Sequence, residues 1–393
     1  MEGLRPFGAS GLTVTVVGAG VSGLVAALTL ARADVEVTVL EEHETIGLPC
    51  YCGGVVSPDY QEKIGIALPR SIELIDLHGF KFTDGVREVT VESKRTIAKV
   101  ISRQALDEHL ARLCEVEGVG LQRSTRGTSL RTCDGSTVVE TPSKSYSSDY
   151  TILAGGIADN LGRTIGLARG NSSLLVSAQA VIRKRTESPV ASIYLSERIS
   201  PDFFGYAVPT DEQHCAIGVA SRKADVVESL RIMAKKEGAE LAEKPSMWGI
   251  WTGGPMSSIR KDNVFVVGDA AGMTKATTGG GIVFGAMSAR AVANIIIDEL
   301  GGEGSEGAQS LQSLTLELRK IRTIRRLMNL AGPASLMEAI LSASSQDRLR
   351  DYMESVDFDF HGGLIRAVRT MKVSPGLLSA GALALRHFVE GFC

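Results

Sequence analysis

The residues best suited to do chemistry in this chain begin with a glycine-rich turn near the start. Residues 18–23 read Gly-Ala-Gly-Val-Ser-Gly and follow a run of β-branched and apolar residues. Glycines at this spacing let backbone N–H groups approach a diphosphate at the positive end of a following helix. A carboxylate about twenty residues further on can accept hydrogen bonds from ribose hydroxyls. The predicted contacts of this dinucleotide site are Gly18, Gly20, Ser22, Gly23 and Glu41.

A second glycine-containing segment follows about 250 residues later. Gly268 and Asp269 come directly after another apolar run, which places a carboxylate at the edge of a sheet, within reach of a ribitol hydroxyl. Residues 279–281 are glycines that open a helix of small residues, and its positive end suits the pyrimidine edge of a reduced flavin. A nicotinamide dehydrogenase needs only the first site, so the two sites together predict FAD. The second site is predicted to contribute Gly268, Asp269, Gly280, Gly281 and Ile282.

Elements with clear periodicity must position both sites. Residues 13–17 predict a buried parallel strand, and the next helix and a strand over 35–40 complete the unit. Residues 263–267 predict a further buried strand, followed by a helix that runs through Ala293. We therefore expect an α/β fold with a discontinuous, Rossmann-like FAD-binding domain over residues 10–164 and 255–300.

Two other regions complete the predicted organisation. Residues 165–254 predict an inserted mixed or antiparallel sheet that binds the substrate, with strands over 176–183, 191–195, 205–208 and 214–220 and a helix over 226–240. Residues 305–393 predict a helical C-terminal region, in which residues 311–330 are apolar on one face and basic on the others. This helix either packs on the core or lies on an anionic membrane surface. The apolar tail over 377–392 could likewise do either.

Composition restricts the partners. A chain of 393 residues with 44% apolar and 22% charged residues can bury a sizeable core, and a net charge of -3 gives no reason to expect nucleic acid. Six cysteines make no disulfide scaffold and show no metal-ligand spacing. No apolar stretch reaches the roughly 18 residues that span a bilayer. We expect a reducing, cytoplasmic setting, with a peripheral position on the inner membrane face left open.

The two glycine sites also resemble those of FAD-dependent oxidoreductases of the glutathione-reductase type, in the subgroup shaped like hydroxybenzoate hydroxylase. The resemblance implies three more cofactor contacts, from a helix start at residues 101–103, a strand over 121–128 and a strand over 149–156: Arg103, Gly127 and Gly156. One departure is informative. Where the hydroxylases carry an Asp-Gly pair that serves FAD and NADPH, this chain has Gly155-Gly156, although Arg163 could keep the basic position that follows. The missing carboxylate argues against direct reduction by NADPH.

Two further segments resemble the geranylgeranyl reductase family, in particular its archaeal membrane-lipid branch. Residues 47–54 (Gly-Leu-Pro-Cys-Tyr-Cys-Gly-Gly) match a family segment beside the flavin, which implies contacts from Cys52, Gly53 and Val55. Residues 204–209 (Phe-Gly-Tyr-Ala-Val-Pro), with a glycine nine residues further on, match an aromatic-rich family segment in the isoprenoid cavity. The substrate contacts that this implies are Phe204, Tyr206, Val208, Pro209 and Gly218.

The family resemblance implies a flavin-dependent reductase that saturates isoprenoid double bonds of geranylgeranyl, archaeal-type membrane lipids. Reduced FAD would deliver a hydride to one alkene carbon, and the other carbon would receive a proton. Cys52 is the candidate proton donor, or a small residue whose backbone contacts the flavin. The electron donor is left open between a ferredoxin-like protein and a reduced nicotinamide or deazaflavin. Two other functions remain open: an aromatic monooxygenase, and a non-catalytic flavin- or lipid-binding protein.

Overall fold

The computed structural model describes residues 11–50, 52–133, 135–301, 304–342, 346–355 and 357–360. Its first strands are β1 Thr13–Val17, β2 Glu36–Leu40, β3 Val55–Val56, β4 Glu73–Leu77, β5 Gly79–Thr83, β6 Glu88–Glu92, β7 Ala98–Ile101, β8 Gly120–Gln122, β9 Ser129–Cys133 and β10 Ser136–Glu140. The later strands are β11 Ser145–Ser148, β12 Tyr150–Leu153, β13 Leu174–Arg183, β14 Val190–Tyr194, β15 Gly205–Pro209, β16 His214–Ser221, β17 Ser246–Trp251, β18 Arg260–Lys261 and β19 Val264–Val266. The α-helices are α1 Val21–Ala31, α2 Tyr60–Ile64, α3 Arg103–Val116, α4 Val226–Lys236, α5 Ile282–Gly301, α6 Glu306–Leu341 and α7 Gln346–Ser355. Short 3-10 helices cover Arg70–Ile72, Gly156–Ala158, Leu161–Ile165 and Gly268–Ala271.

A six-stranded sheet holds both predicted glycine sites. Its order is β18-β19-β12-β1-β2-β8, and β1 pairs in parallel with β2 and β12. The adjacent residues Thr15 and Val16, whose side chains point to opposite faces of the sheet, are both almost fully buried, as a sheet covered on both faces requires. Helix α1 packs against α3 and α5. The predicted Rossmann-like α/β fold is confirmed, and both glycine loops lie at the carboxyl ends of its parallel strands.

The second large sheet has seven strands in the order β17-β13-β16-β15-β14-β5-β6. All four strands predicted between residues 176 and 220 form, and α4 packs against β16. The sheet extends beyond the predicted 165–254 insertion, because β5 and β6 come from residues 79–92 and β5 pairs in parallel with β14. The helix predicted over 226–240 ends at Lys236, and Gly238 has a positive φ of 76° that a helix does not accept. Two three-stranded sheets, β11-β10-β9 and β3-β7-β4, complete the strand layers.

The strand predicted over 121–128 is wrong beyond Gln122. Its partner β2 ends at Leu40, and the N–H of Glu41 donates to the carbonyl of Gln122 at 2.9 Å. Beyond this point the N–H groups of Ser124 and Thr125 still donate to the carbonyls of His43 and Glu41, but as loop contacts and not as a strand ladder. Without a neighbouring strand the chain turns, and Ser124 adopts a φ of 52°. Gly127 therefore lies in a loop and not in a strand.

Helix α6 follows α5 and packs against it. Leu314, Leu318 and Ile321 are buried, which supports the packed interpretation of the predicted 311–330 helix. Arg325 is also buried, contrary to its expected place on an outer face, because it donates to the carbonyl of Asp202. The helix breaks at Gly332, whose φ of 76° and ψ of 162° are not helical. The predicted apolar tail over 377–392 lies outside the described residues. Within the described ranges, no helix combines the length and apolarity needed to cross a bilayer.

Candidate functional site

A cavity of about 1450 Å³ lies between the two large sheets and α6. Its polar half is lined by the ends of β1, β2 and β12, the loops that follow them, the start of α3 and residues 269–282. Its apolar half is lined by side chains from β5, β14, β15, β17 and α6. The volume exceeds the roughly 300–1,000 Å³ of a pocket for one drug-sized ligand. The cavity therefore has room for a cofactor and a second molecule.

The first glycine loop lines the polar half. Gly18 has a φ of 105°, and a Cβ there would lie 2.5 Å from the carbonyl oxygen of Ala154. Gly20 is the N-cap of α1, makes no side-chain cap, and has open space where a Cβ would stand. The first turn of α1 is thus available to an anion. Ser22 also lines the cavity, whereas Gly23 does not. Gly23 faces the preceding loop instead, and a Cβ atom there would lie 1.9 Å from the carbonyl oxygen of Gly18. Gly23 serves helix–loop packing.

Glu41 stands beside this loop at the end of β2. Its Oε2 accepts a hydrogen bond from the N–H of Ala19 at 2.7 Å. Its Oε1 accepts from the N–H of His43 at 3.0 Å and lies 2.6 Å from the His43 Nδ1. A carboxylate has about four acceptor positions, so these bonds fix the group and leave capacity for a ribose hydroxyl.

The second glycine loop lies across the polar half from the first. Asp269 lines the cavity, and burial raises the pKa of its carboxyl group, against the opposing charges of Arg103 and Arg169. Gly281 approaches it so closely that a Cβ there would lie 2.5 Å from Asp269 Oδ1. Gly280 and Ile282 also line the cavity. Gly268 is not among the residues that line the cavity, and its N–H donates to Ser288 Oγ at 3.2 Å.

Unpaired polar atoms indicate what the polar half accepts. Of the described residues, five have a buried side-chain nitrogen or oxygen without a partner, and four of these atoms belong to cavity-lining residues: Arg103 Nε, Asp107 Oδ1, Asp159 Oδ2 and Thr277 Oγ1. Leaving such an atom unpaired costs about 1–3 kcal/mol. FAD carries phosphate oxygens, sugar hydroxyls and ring carbonyls that can satisfy them. The donor and acceptor set of the polar half therefore fits this cofactor.

The Gly155-Gly156 departure is compensated in space. Asp159 lines the cavity, and its Cβ lies 3.2 Å from the position of a Cβ on Gly155. A carboxylate four residues further on thus occupies the neighbourhood of the missing one, and burial raises its pKa. Gly156 lines the cavity, whereas Arg163 does not. Arg169 does not line it either, but it donates to the carbonyl of Ile157 at 2.6 Å, and its charge opposes the burial that raises the pKa of Asp159 and of Asp269.

Tyr206 links the two predicted family segments. A Cβ on Gly53 would lie 3.1 Å from the Tyr206 ring, and a Cβ on Gly218 would lie 2.3 Å from it, so the ring sits between two glycines. The Tyr206 hydroxyl donates to Gln179 Oε1 at 2.7 Å, and Gln179 Nε2 donates to the carbonyl of Cys52 at 3.4 Å. Tyr206 therefore holds the Cys52 backbone in place.

Some of the other predicted substrate-binding residues line the cavity and some do not. Phe204 and Val208 line the cavity with Tyr206. Pro209 and Gly218 do not, because the first ends β15 and the second makes room for the Tyr206 ring. Cys52, Gly53, Val55, Arg103 and Gly127 all line the cavity. Burial raises the pKa of the Cys52 thiol, whose sulfur accepts from the N–H of Gly54 at 3.4 Å.

The close fit of Tyr206 against Gly218 predicts a coupled pair of substitutions. Gly218→Ala is expected to lower the free energy of unfolding by about 1–3 kcal/mol, because the methyl group overlaps the ring. Tyr206→Leu removes the overlapping ring atoms and the bond to Gln179. The decrease in the free energy of unfolding should therefore be smaller in the double variant than the sum of the decreases in the two single variants. Urea unfolding measures these three values. Additive losses would contradict the contact.

Sequence reasoning missed the contribution of α6. Its inner face supplies an apolar wall to the cavity, with members Ile324, Leu327, Met328, Ala331, Leu336 and Ile340. The 3–4 periodicity of residues 311–330 predicted an inward face, but periodicity does not tell a helix neighbour from a cavity. Lys275 and Asp359, which also line the cavity, had no motif to mark them.

Comparison with known proteins agrees with this arrangement. Residues 16–70 match the family of NAD(P)-binding Rossmann-like domains. Over 292 residues the chain is 27% identical to digeranylgeranylglycerophospholipid reductase 2 of Methanosphaera stadtmanae, covering 68% of this chain and 73% of that one. The digeranylgeranylglycerophospholipid reductase of Methanocaldococcus jannaschii is 25% identical over 285 residues, covering 68% of this chain and 72% of the relative.

Two solved structures share the fold. A geranylgeranyl bacteriochlorophyll reductase-like protein from Thermoplasma acidophilum aligns with a TM-score of 0.73 at 17% identity, covering 95% of both chains. A flavoprotein/dehydrogenase from Cytophaga hutchinsonii aligns with a TM-score of 0.71 at 14% identity, covering 97% of this chain and 98% of the other. The predicted resemblance is confirmed: in sequence the chain is similar to digeranylgeranylglycerophospholipid reductases, and it shares its fold with these two solved proteins.

Proposed function

We propose that this chain is an FAD-dependent reductase that saturates isoprenoid double bonds of geranylgeranyl, archaeal-type membrane lipids. One observation carries the proposal: a single continuous cavity joins a glycine-lined dinucleotide site to an apolar compartment. A small aromatic substrate would not need a wall that extends along α6 from Ile324 to Ile340. A long hydrocarbon chain does, because it must be removed from water along its length.

The residues of the polar half would hold the cofactor. Gly20 and the first turn of α1 would bind the diphosphate, Glu41 the ribose, and Asp269 the ribitol, with Arg103 beside the phosphates. Gly280 and Gly281 open α5 and would meet the flavin ring. When bound, FAD supplies the hydride. The chain's own contribution is then to orient the alkene and to exclude water, since an unactivated double bond develops no oxyanion to stabilise.

Cys52 is the proposed proton donor to the second alkene carbon. It lines the cavity, and burial raises the pKa of the thiol, so that the group stays protonated at neutral pH. The hydrogen bonds from Tyr206 to Gln179 and from Gln179 to the Cys52 carbonyl keep Cys52 in position. Cys52→Ser keeps a hydroxyl proton at this place, whereas Cys52→Ala removes it, so the two variants separate proton donation from backbone contact.

Anaerobic single turnover tests the proposed reaction. Photoreduced enzyme should be reoxidised by a geranylgeranyl lipid in the absence of oxygen, and the product mass should rise by two hydrogens for each double bond saturated. Reoxidation by oxygen alone, with one oxygen atom added to the product, would identify a monooxygenase instead. Flavin binding without turnover of any alkene would identify a carrier. The same assay, with a ferredoxin, reduced nicotinamide or reduced deazaflavin in place of light, identifies the electron donor.

We also propose that α6 contacts an anionic membrane at its outer face, from a cytoplasmic position. Leu316 and Leu330 are 50% and 72% exposed, and they share a stripe of the helix with the exposed Arg319 and Arg326. Exposed leucines beside arginines are typical of a helix that lies in a lipid interface. We expect the protein to co-sediment with anionic vesicles, and a variant with Arg319→Glu and Arg326→Glu to lose this binding. Equal binding of both proteins would contradict the proposal.

A further inference from the structure

Lys275 lies directly before the second glycine loop, and the proposed function assigns it no role. Its N–H donates to the carbonyl of Gly280 at 2.9 Å, and its carbonyl accepts from the N–H of Gly279 at 2.7 Å. These bonds give the loop its shape. The side chain is 3% exposed and lines the cavity, so a positive charge lies in the wall next to the predicted ring-binding glycines.

The ammonium group of Lys275 has a donor to spare. Its Nζ donates to Asp359 Oδ1 at 2.6 Å and, weakly, to the carbonyl of Phe358 at 3.4 Å. A lysine ammonium has three donors. In the described part of the chain the third has no oxygen or nitrogen acceptor, although the ammonium also lies 4.5 Å from the centroid of the Phe358 ring. A buried donor without an acceptor is costly, and more so for a charged group. The spare donor therefore points to an acceptor on a bound molecule.

A neighbouring lysine shows what a purely structural pair looks like in this protein. Lys63 donates to Asp357 at 2.6 Å, to Asp59 at 2.8 Å and to Ser57 Oγ at 3.1 Å, which uses all three of its donors. Lys63 does not line the large cavity. Both lysines thus hold the 357–360 segment, but only Lys275 presents its charge to the ligand space.

Asp359 fixes the direction of the Lys275 side chain. Its second oxygen accepts from the N–H of Ser57 at 3.2 Å, directly after β3. One carboxylate therefore connects the second glycine loop to the segment that follows Cys52 and Gly53. Burial opposes its charge, but Lys275 and the hydrogen bond from Ser57 outweigh it and lower the pKa of Asp359. Phe358, stacked on Phe80 with ring centroids 6.1 Å apart, closes the wall beside the pair.

We propose that Lys275 donates a hydrogen bond to an acceptor on the flavin ring and stabilises the reduced, anionic form of the cofactor, with Asp359 as its positioning residue. This inference rests on the proposed function. The hydrocarbon chain of an isoprenoid offers no acceptor, whereas the pyrimidine edge of the ring carries carbonyl and ring-nitrogen acceptors. A cation next to a developing anion is worth most where water is excluded.

The midpoint potential of bound FAD tests the inference independently of lipid turnover. Lys275→Met should weaken the binding of reduced relative to oxidised FAD about tenfold, which corresponds to about 30 mV for a two-electron couple. The potential should therefore become more negative. Asp359→Asn should also make the potential more negative, but by less than Lys275→Met, because the lysine charge is kept while the carboxylate that directs it is lost. The double variant with Lys275→Met and Asp359→Asn leaves no buried carboxylate unpaired. The midpoint potential of its FAD should still be more negative than that of the wild type.

Lys63→Met is the matched control. It removes an ion pair from the same segment and should lower the unfolding midpoint, but it should leave the FAD potential unchanged. Equal potentials in the wild type, Lys275→Met and the double variant would overturn the inference and leave the proposed function standing. A wild-type chain that fails to bind FAD would instead remove the proposed function itself.

Discussion

Replacing Gly20 by valine should greatly weaken FAD binding and leave the fold intact. Gly20 has ordinary backbone angles, with a φ of -76°, and no protein atom lies within 4 Å of where its Cβ would stand. The valine side chain would therefore project into the space that a diphosphate must occupy. We expect the Kd for FAD to rise about a hundredfold or more, which is about 2.8 kcal/mol.

Titration of the apoprotein with FAD, followed by flavin fluorescence, measures this change. Gly170→Val is the matched control, because Gly170 is exposed, also has open space at its Cβ position, and lies away from the cavity. The free energy of unfolding of both variants should stay within about 1 kcal/mol of the wild-type value. Unchanged FAD binding by Gly20→Val would show that the first glycine loop is not the diphosphate site.

The second large effect concerns the apolar half. Ala331 lines the cavity from α6, one residue before the break at Gly332. Ala331→Trp should fill part of the compartment and lower kcat/KM for a geranylgeranyl lipid about thirtyfold, or about 2 kcal/mol of transition-state stabilisation. FAD content should not change, because the polar half is untouched.

Ala334→Trp provides the comparison for this variant. Ala334 is exposed, does not line the cavity, and lies on the same helix after the break. A shorter isoprenoid substrate should also be less affected by Ala331→Trp than a full-length one. Equal activity of the two tryptophan variants on the long substrate would place the lipid elsewhere in the protein.

The sequence was informative where function is encoded in neighbouring residues. The loop over 18–23 could be placed because a buried strand, three spaced glycines and an amphipathic helix follow one another directly. The 279–281 loop could be placed because its three glycines lead directly into the small-residue helix α5. In both cases local backbone geometry determines the site, and local geometry is what a pattern of residue types reports.

Contacts between distant segments could not be predicted in this way. Nothing near Gly218 in the sequence indicates that its hydrogen atom makes room for Tyr206, twelve residues earlier on another strand. The Lys275–Asp359 pair joins residues 84 positions apart. The error over residues 121–128 has a related cause, since a strand persists only as long as its neighbour, and the end of β2 is a property of the sheet.

The contacts of Asp359 have a consequence for biosynthesis. A chain emerges from the ribosome N-terminal end first, at about 5–20 residues per second. Both glycine loops leave the ribosome well before Asp359, which links the second glycine loop to Ser57 after β3. The nascent protein can therefore form its two large sheets while one wall of the cofactor chamber is still missing. Stable flavin loading should then be a late event, completed only after the segment that contains Asp359 has been translated.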